Sequence, residues 1–206
     1  MTMREISPAE NMSTDDFLEI AGDYEKSIAK KIRKEKVNGE RPLPSTKLID
    51  SSKILNQSIR KTLLDKVATL VDENLFGRSE MCLQFANLLQ QSLCLFGLSA
   101  RAVIGEAIYY ANSCEVFRWD HAWVRINEEV IDANVDSLYE NPAVPDTVKI
   151  APYWGPIKLT PNDRKLKEKH GVKLPPDTDV SDIWWPDLEQ WIKSQYASSI
   201  ESGKGE

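Results

Sequence analysis

The sequence predicts one α+β domain with helical arms at both ends, and three observations carry that prediction. Residues 80–96 are apolar around most of a helical circumference, as in a helix buried on nearly all sides. From Ala100 onward the hydrophobic period shifts from the helical spacing to two, the spacing of strands. Amphipathic helical stretches flank this region on both sides.

At 206 residues and 41% hydrophobic composition, the chain can bury one core without covalent staples. Its net charge of -6 argues against a nucleic-acid partner, which calls for a basic footprint on phosphate. Three cysteines without repeating spacing argue against a disulfide framework, and two histidines with no CxxC pair against structural zinc. No calcium-type loop of alternating acidic residues appears, so no metal and no cofactor are expected. The start, MTMREISPAENMSTDD, lacks an apolar run behind a basic cluster, and no stretch approaches the roughly 18 apolar residues of a spanning helix. Neither a secretory signal nor a membrane partner is expected, and the predicted location is the reducing cytoplasm.

In chain order, Phe17, Ile20, Ala21, Tyr24, Ile28 and Ile32 mark one face of a helix beginning near Ser13 or Thr14. Its end is crowded by Lys30, Lys31, Arg33, Lys34 and Lys36, where cations suit the helix dipole. Asn38-Gly39, then Pro42 and Pro44, break it. A second helix is expected over 51–73 from Ile54, Leu55, Ile59, Leu63, Leu64, Val67, Leu70 and Val71. The buried helix 80–96 follows, opened by Ser79 and closed by Gly97. Ala100–Ala107, His121–Ile126 and Val130–Val135 read as strands, with Tyr109–Trp119 as a loop or hairpin end. Residues 141–176 are rich in Pro and Lys without periodicity, and read as a long unstructured connection. A last helix runs from Pro186 to about Ser199, with Leu188, Trp191, Ile192 and Tyr196 on one face.

Three residues capable of chemistry fall within this order. With Ser79 as the N-cap, Cys82 occupies N3, where unpaired backbone N–H groups and the helix dipole favour an anion. His121 opens a strand in RWDHAWVRI, and Asp132 lies on the next in EEVIDANVD. A two-residue turn at Asn127-Glu128 sets Ile126 opposite Glu129 and His121 opposite Asn134. Asp132 and Asp136 are then both diagonal neighbours of His121, within reach of its imidazole, and spacing alone does not choose between them. A three-residue turn instead puts Asp132 on the opposite face. In a Cys-His-carboxylate set the imidazole takes the thiol proton, the carboxylate orients the ring, and the thiolate attacks a carbonyl whose oxyanion the Cys82 N–H helps to hold. Taken singly, a cysteine in a helix or a histidine opening a strand is more often structural; the order of elements is what favours chemistry.

The stretches GRSEMCLQFANLLQQSLCLFGLSARAVIGEA and DHAWVRINEEVIDANVDS resemble the transglutaminase-like branch of the papain-like cysteine enzymes. The likeness rests on Cys82, Phe85-Ala86, Leu88-Leu89, Gly97, Ala100-Arg101, Val103, Gly105, His121-Ala122-Trp123-Val124 and Asp132, over about residues 77–137. It implies a papain-like core in which a buried nucleophile helix packs on an antiparallel sheet, with Cys82, His121 and Asp132 catalytic, and it selects Asp132 over Asp136. Met81 stands where the family often has Gly or Trp, and the interval from His to Asp is short. Gln84, Trp119 and Asn134 are the candidates for the side-chain half of an oxyanion hole. The implied activity is hydrolysis or transfer at an amide bond of a protein or peptide substrate, through a thioester. A catalytically silent binding module of the same fold is the alternative, and an arylamine-type acyltransferase a weaker third.

The expected organisation is an N-terminal helical arm with a flexible start over 1–50, the catalytic core over 51–140, and a Pro-rich loop with an aromatic C-terminal helix packing on the core over 141–206. Trp119, Trp123, Tyr153 and Trp154 are the substrate-binding candidates, with packing an equal reading for Tyr153-Trp154. Trp184 and Trp191 are expected to pack. Cys94 and Cys114 read as inert, His170 as solvated.

Overall fold

The computed structural model describes residues 22, 26, 29–72, 77–141, 144–145 and 148–202. Most of the predicted helix from Thr14 to Ile28 lies outside them; its continuation is α1 (29–38), which buries Ile32. The elements that follow are β1 (Ile49–Asp50), α2 (Gln57–Asp72), α3 (Cys82–Leu95), β2 (Ala100–Ala111), β3 (Cys114–Ile126), β4 (Glu129–Asp132), β5 (Tyr153–Pro156), β6 (Arg164–Glu168) and α4 (Trp185–Ser202). A 3-10 helix spans Asn134–Glu140, and a π-helical turn over Asp179–Trp184 leads into α4.

The strands form a mixed six-stranded sheet in the order β1-β5-β4-β3-β2-β6, antiparallel throughout except for β1 beside β5. Alternation along β3 and β4 divides the apolar residues between two faces. Ala122, Val124, Ile126 and Ile131 join Trp154 under α3, whose Phe85, Leu88, Leu89 and Leu93 are covered in turn by Leu63, Leu64, Val67 and Val71 of α2 and by Leu188 and Ile192 of α4. On the other face Val103, Trp123, Val130 and Tyr153 form a smaller cluster. No described helix is long and apolar enough to cross a membrane.

Several sequence expectations need correction. β2 and β3 run through Tyr109–Trp119 as one long hairpin turning at Asn112-Ser113, so Cys114 lies on a strand rather than in a loop. Val135 belongs to the 3-10 helix, not to a strand. The stretch 141–176 is no structureless connection, because β5 and β6 lie inside it. β5 shows no alternation because Tyr153, Trp154 and Gly155 are all buried, and β6 has Leu166 as its one apolar residue. With β1 drawn from the N-terminal arm and β5 and β6 from the C-terminal segment, the sheet draws on all three expected units, not on 51–140 alone.

Gly105 shows how tightly the sheet is packed at its centre. A Cβ there would lie 2.2 Å from the backbone carbonyl oxygen of Lys167 and 2.4 Å from the Trp123 ring. Neither can retreat without moving β6 or the outer cluster. Gly105→Ala is therefore expected to lower the unfolding free energy by about 2 kcal/mol, in the range of overpacked cores. Urea denaturation measures this as a lower midpoint at unchanged slope.

Candidate functional site

The loop entering α3 is fixed before the helix begins. Gly77 has φ +77°, and a side chain there would collide with Glu140, whose Oε2 would lie 2.3 Å from the added Cβ. That carboxylate accepts the backbone N–H groups of Arg78 at 2.8 Å and Ser79 at 3.2 Å. The Arg78 guanidinium, fully buried, donates to Asp136 through two nitrogens at 2.8 and 3.0 Å and to the Pro42 carbonyl, and lies 3.3 Å from Asp72. Asn134 Nδ2 donates to the Arg78 carbonyl oxygen. Arg41 completes the cluster, reaching Glu35, Asp72 and Glu140. Burial pushes the carboxyls of Asp136 and Glu140 above their ordinary range, against the pull of these guanidiniums.

Because residues 78–80 are held in this turn, α3 starts later than the sequence suggests. Met81 is the N-cap and makes no side-chain cap bond, so Cys82 is N1, not N3, and Ser79 is not the cap. The Cys82 N–H still belongs to the first turn, where backbone donors have no partner within the helix.

His121 and Asp132 meet through the β3–β4 hairpin. Ile126 pairs with Glu129, Arg125 with Val130 and Val124 with Ile131, across a two-residue turn in which Asn127 has positive φ. His121 Nε2 lies 2.9 Å from Asp132 Oδ1, and both residues are 1% exposed. Asp136, the other diagonal candidate, is held by Arg78 instead. His121 Nδ1 is buried and makes no hydrogen bond. Cys82, 9% exposed, stands near enough for its thiol to act on the ring. Burial works to lower the imidazole pKa; the Asp132 hydrogen bond and then the Cys82 side chain outweigh it, raising the value from 6.5 to about 9. Burial likewise works to raise Asp132, but His121 and Arg164 hold its carboxyl below the usual range.

Two residues of this cluster were not anticipated. Arg164 Nη1 donates to Asp132 Oδ2 at 2.8 Å, inside the protein. Its setting, NDRKLKEKH, reads as a solvated Lys-rich stretch and carries no signal of burial. Tyr109, fully buried in β2 opposite Arg164, places its phenol within the influence of Asp132, Arg164, Trp119 and Cys82. Burial drives its pKa well above the ordinary range, so it stays neutral.

Of the four aromatic candidates, the structure brings Trp119 to the site with a half-buried ring stacked on His121, centroids 5.3 Å apart. Trp123 is 6.2 Å from the same imidazole but closed into the outer cluster beside Gly105. Tyr153 and Trp154 are wholly buried and line no groove. The Tyr153 hydroxyl donates to the Pro156 carbonyl, and Trp154 packs under α3 with the Arg60 guanidinium over its ring. They pack because β5 is an interior strand. Gln84 commits its amide N–H to Asp177 and Asn134 commits its own to Arg78. The third oxyanion candidate, Trp119, has its indole Nε1 buried without a partner in hydrogen-bond geometry, close to the Tyr109 phenol.

Comparisons with protein-family models, curated proteins and solved structures return no match to this chain. The site must therefore be read from its own geometry. Among the described residues, no group of three or more His, Cys, Asp and Glu side chains is arranged to hold a metal ion. Cavities of about 230 and 430 Å³ are lined by neither Cys82 nor His121, although Arg164 and Trp123 border the smaller one.

An imidazole whose pKa is about 9 when folded binds its proton more tightly than in the unfolded chain, where the value is 6.5. The stabilisation this brings is complete below pH 6.5 and is lost as pH rises through about 9. Unfolding free energy in urea is expected to fall across this window, and the fall to shrink in Asp132→Asn. A flat profile in the wild-type protein contradicts the assignment.

Proposed function

We propose that this chain is a cysteine-dependent enzyme acting on an amide bond, with a papain-like, transglutaminase-like core. The observation that carries the reading is the buried thiol of Cys82 at the first position of α3, beside an imidazole whose far nitrogen is hydrogen-bonded to a buried carboxylate. With Asp132 on Nε2, the nitrogen left for the thiol is Nδ1.

The chemistry follows from these positions. The raised proton affinity of His121 favours a thiolate–imidazolium pair in which His121 already holds the Cys82 proton, and the thiolate attacks the amide carbonyl carbon. The Cys82 backbone N–H and Trp119 Nε1 donate to the oxyanion that develops. The intermediate collapses to a thioester as His121 returns the proton to the departing amine. Water or a second amine, deprotonated by His121, then releases the acyl group. Protein and peptide amides are the substrates proposed. The cysteines Cys82, Cys94 and Cys114 are all free thiols, which suits a reducing, cytoplasmic setting.

The burial of Cys82 and His121 favours a second reading, a fold of this type that binds a partner without turnover. The reactivity of Cys82 separates the two. Iodoacetamide labelling, read by peptide mass spectrometry, is expected to modify Cys82 at neutral pH and to slow roughly tenfold or more in His121→Ala. An unreactive Cys82, or one indifferent to His121, overturns the enzyme reading. On an amide substrate, Cys82→Ala is expected to lower kcat by about 10³-fold or more with no change in fold by circular dichroism.

A further inference from the structure

Four charged or ionisable groups line up through the interior: Cys82, His121, Asp132 and Arg164. The last three are joined by contacts of 2.9 and 2.8 Å, one to each oxygen of the Asp132 carboxylate. Arg164 is itself anchored. Its Nη2 donates to the Ala151 carbonyl, and its Nε to Asp163 Oδ1 at 2.9 Å. The side chains of Asp132 and Arg164 are both fully buried, whereas that of Asp163 is 31% exposed and solvent screens its charge.

The charges can be followed through the first chemical step. Cys82 and His121 share one proton, so as thiol and imidazole or as thiolate and imidazolium they are neutral together, and Asp132 and Arg164 balance one another. When the proton moves from Cys82 to His121, a second balanced pair forms beside the first, and the interior gains no net charge. Without Arg164 the balance changes. Asp132 would then require the imidazolium as its own counter-ion, and ionising Cys82 would leave an unmatched anion in a poorly solvated place.

We infer that Arg164 is a positioning residue of this site: by neutralising Asp132 it leaves the positive charge of His121 free to stabilise the Cys82 thiolate. The inference rests on the proposed thiol chemistry and adds to the triad a fourth member, which acts through Asp132 and touches no substrate. Among the described residues, the neutral Tyr109 phenol and the Trp119 and Trp123 rings also border the row. Arg125, Lys165 and Glu168 line the 230 Å³ cavity that Arg164 borders on its other side, with Glu168 engaged by Arg101 and Arg125. A purely structural role, tying β6 to β4, is the competing account of the same contacts. It predicts a loss of stability without a change in how Cys82 ionises.

The test is the pH dependence of iodoacetamide labelling at Cys82, in the full-length chain and its variants. In Arg164→Gln the midpoint is expected to rise by about one pH unit or more, the scale of losing a neighbouring opposite charge. Arg164→Lys should bring it back most of the way. Asp163→Asn removes a carboxylate that competes for Arg164, so the midpoint should move the other way, downward and by less. An unchanged midpoint in folded Arg164→Gln overturns the inference. Where Arg164→Gln does not fold, Asp163→Asn decides: a downward shift supports the inference and no shift overturns it. His121→Ala separates the two levels. Labelling that slows in His121→Ala but ignores Arg164 and Asp163 sinks the role of Arg164 and leaves the enzyme reading standing. Labelling indifferent to His121 sinks both.

Discussion

The hydrogen bond between His121 Nε2 and Asp132 Oδ1 can form because β3 and β4 pair with Ile126 opposite Glu129. One residue more or fewer in the turn at Asn127-Glu128 would send Asp132 to the α3 face and an apolar neighbour into its place. The core enforces the same register independently. Val124, Ile126 and Ile131 must lie under α3 while Trp123 and Val130 lie on the far side, so the apolar packing of both faces and the polar contact at the site depend on one pairing. The polar contact therefore need not supply stability to be retained.

The cysteine is positioned by different means. Four carboxylates, from Glu35, Asp72, Asp136 and Glu140, surround the two guanidiniums of Arg41 and Arg78. An interior cluster with more acids than bases is a poor source of net stability, and the raised pKa values of Asp136 and Glu140 express its cost. What it achieves is placement. Glu140 gathers the N–H groups of Arg78 and Ser79, Asp136 holds the Arg78 side chain, and Pro42 ties the N-terminal segment to the same point. Breaking one partner of such a network typically costs about 3–5 kcal/mol, enough to discourage any other conformation of the turn that presents Cys82.

How much was legible in the sequence follows from how each element is held. α3 was readable because its apolar residues cover nearly all its circumference, and the β3–β4 hairpin because period-two alternation flanks a short polar turn. β5 and β6 were not. A four-residue strand buried on both faces carries no alternation, and an edge strand spelled Arg-Lys-Leu-Lys-Glu looks like solvated loop. The start of α3 was misplaced because Ser79 has the character of an N-cap, while Glu140, 61 residues away, takes its N–H. The choice between Asp132 and Asp136 was open to spacing alone, and it turns on Arg78, which the sequence marks only as part of a helix-ending loop. Arg164 is the extreme case. Nothing local distinguishes it from its lysine neighbours, and its burial arises only when β6 joins the far edge of the sheet and brings it opposite Tyr109.

The residues that escaped local reading share a physical property: each is a polar group whose partner lies on another element. Apolar residues announce their environment by periodicity, because burial is all they require. A buried charge requires a particular opposite charge, and that match is written in tertiary structure. This bears on the site itself. His121 Nδ1, Trp119 Nε1 and the Tyr109 hydroxyl are buried without partners in good hydrogen-bond geometry, although Cys82 stands by the first and the other two are neighbours. They are not alone in this, since Arg78 Nε, Asn134 Oδ1 and Trp154 Nε1 are also buried without a partner, while Glu140 satisfies two backbone donors and Arg60 the carbonyls of Ile54 and Leu55. Under the proposed function, His121 Nδ1 faces the thiol and Trp119 Nε1 is the donor that a substrate carbonyl would engage.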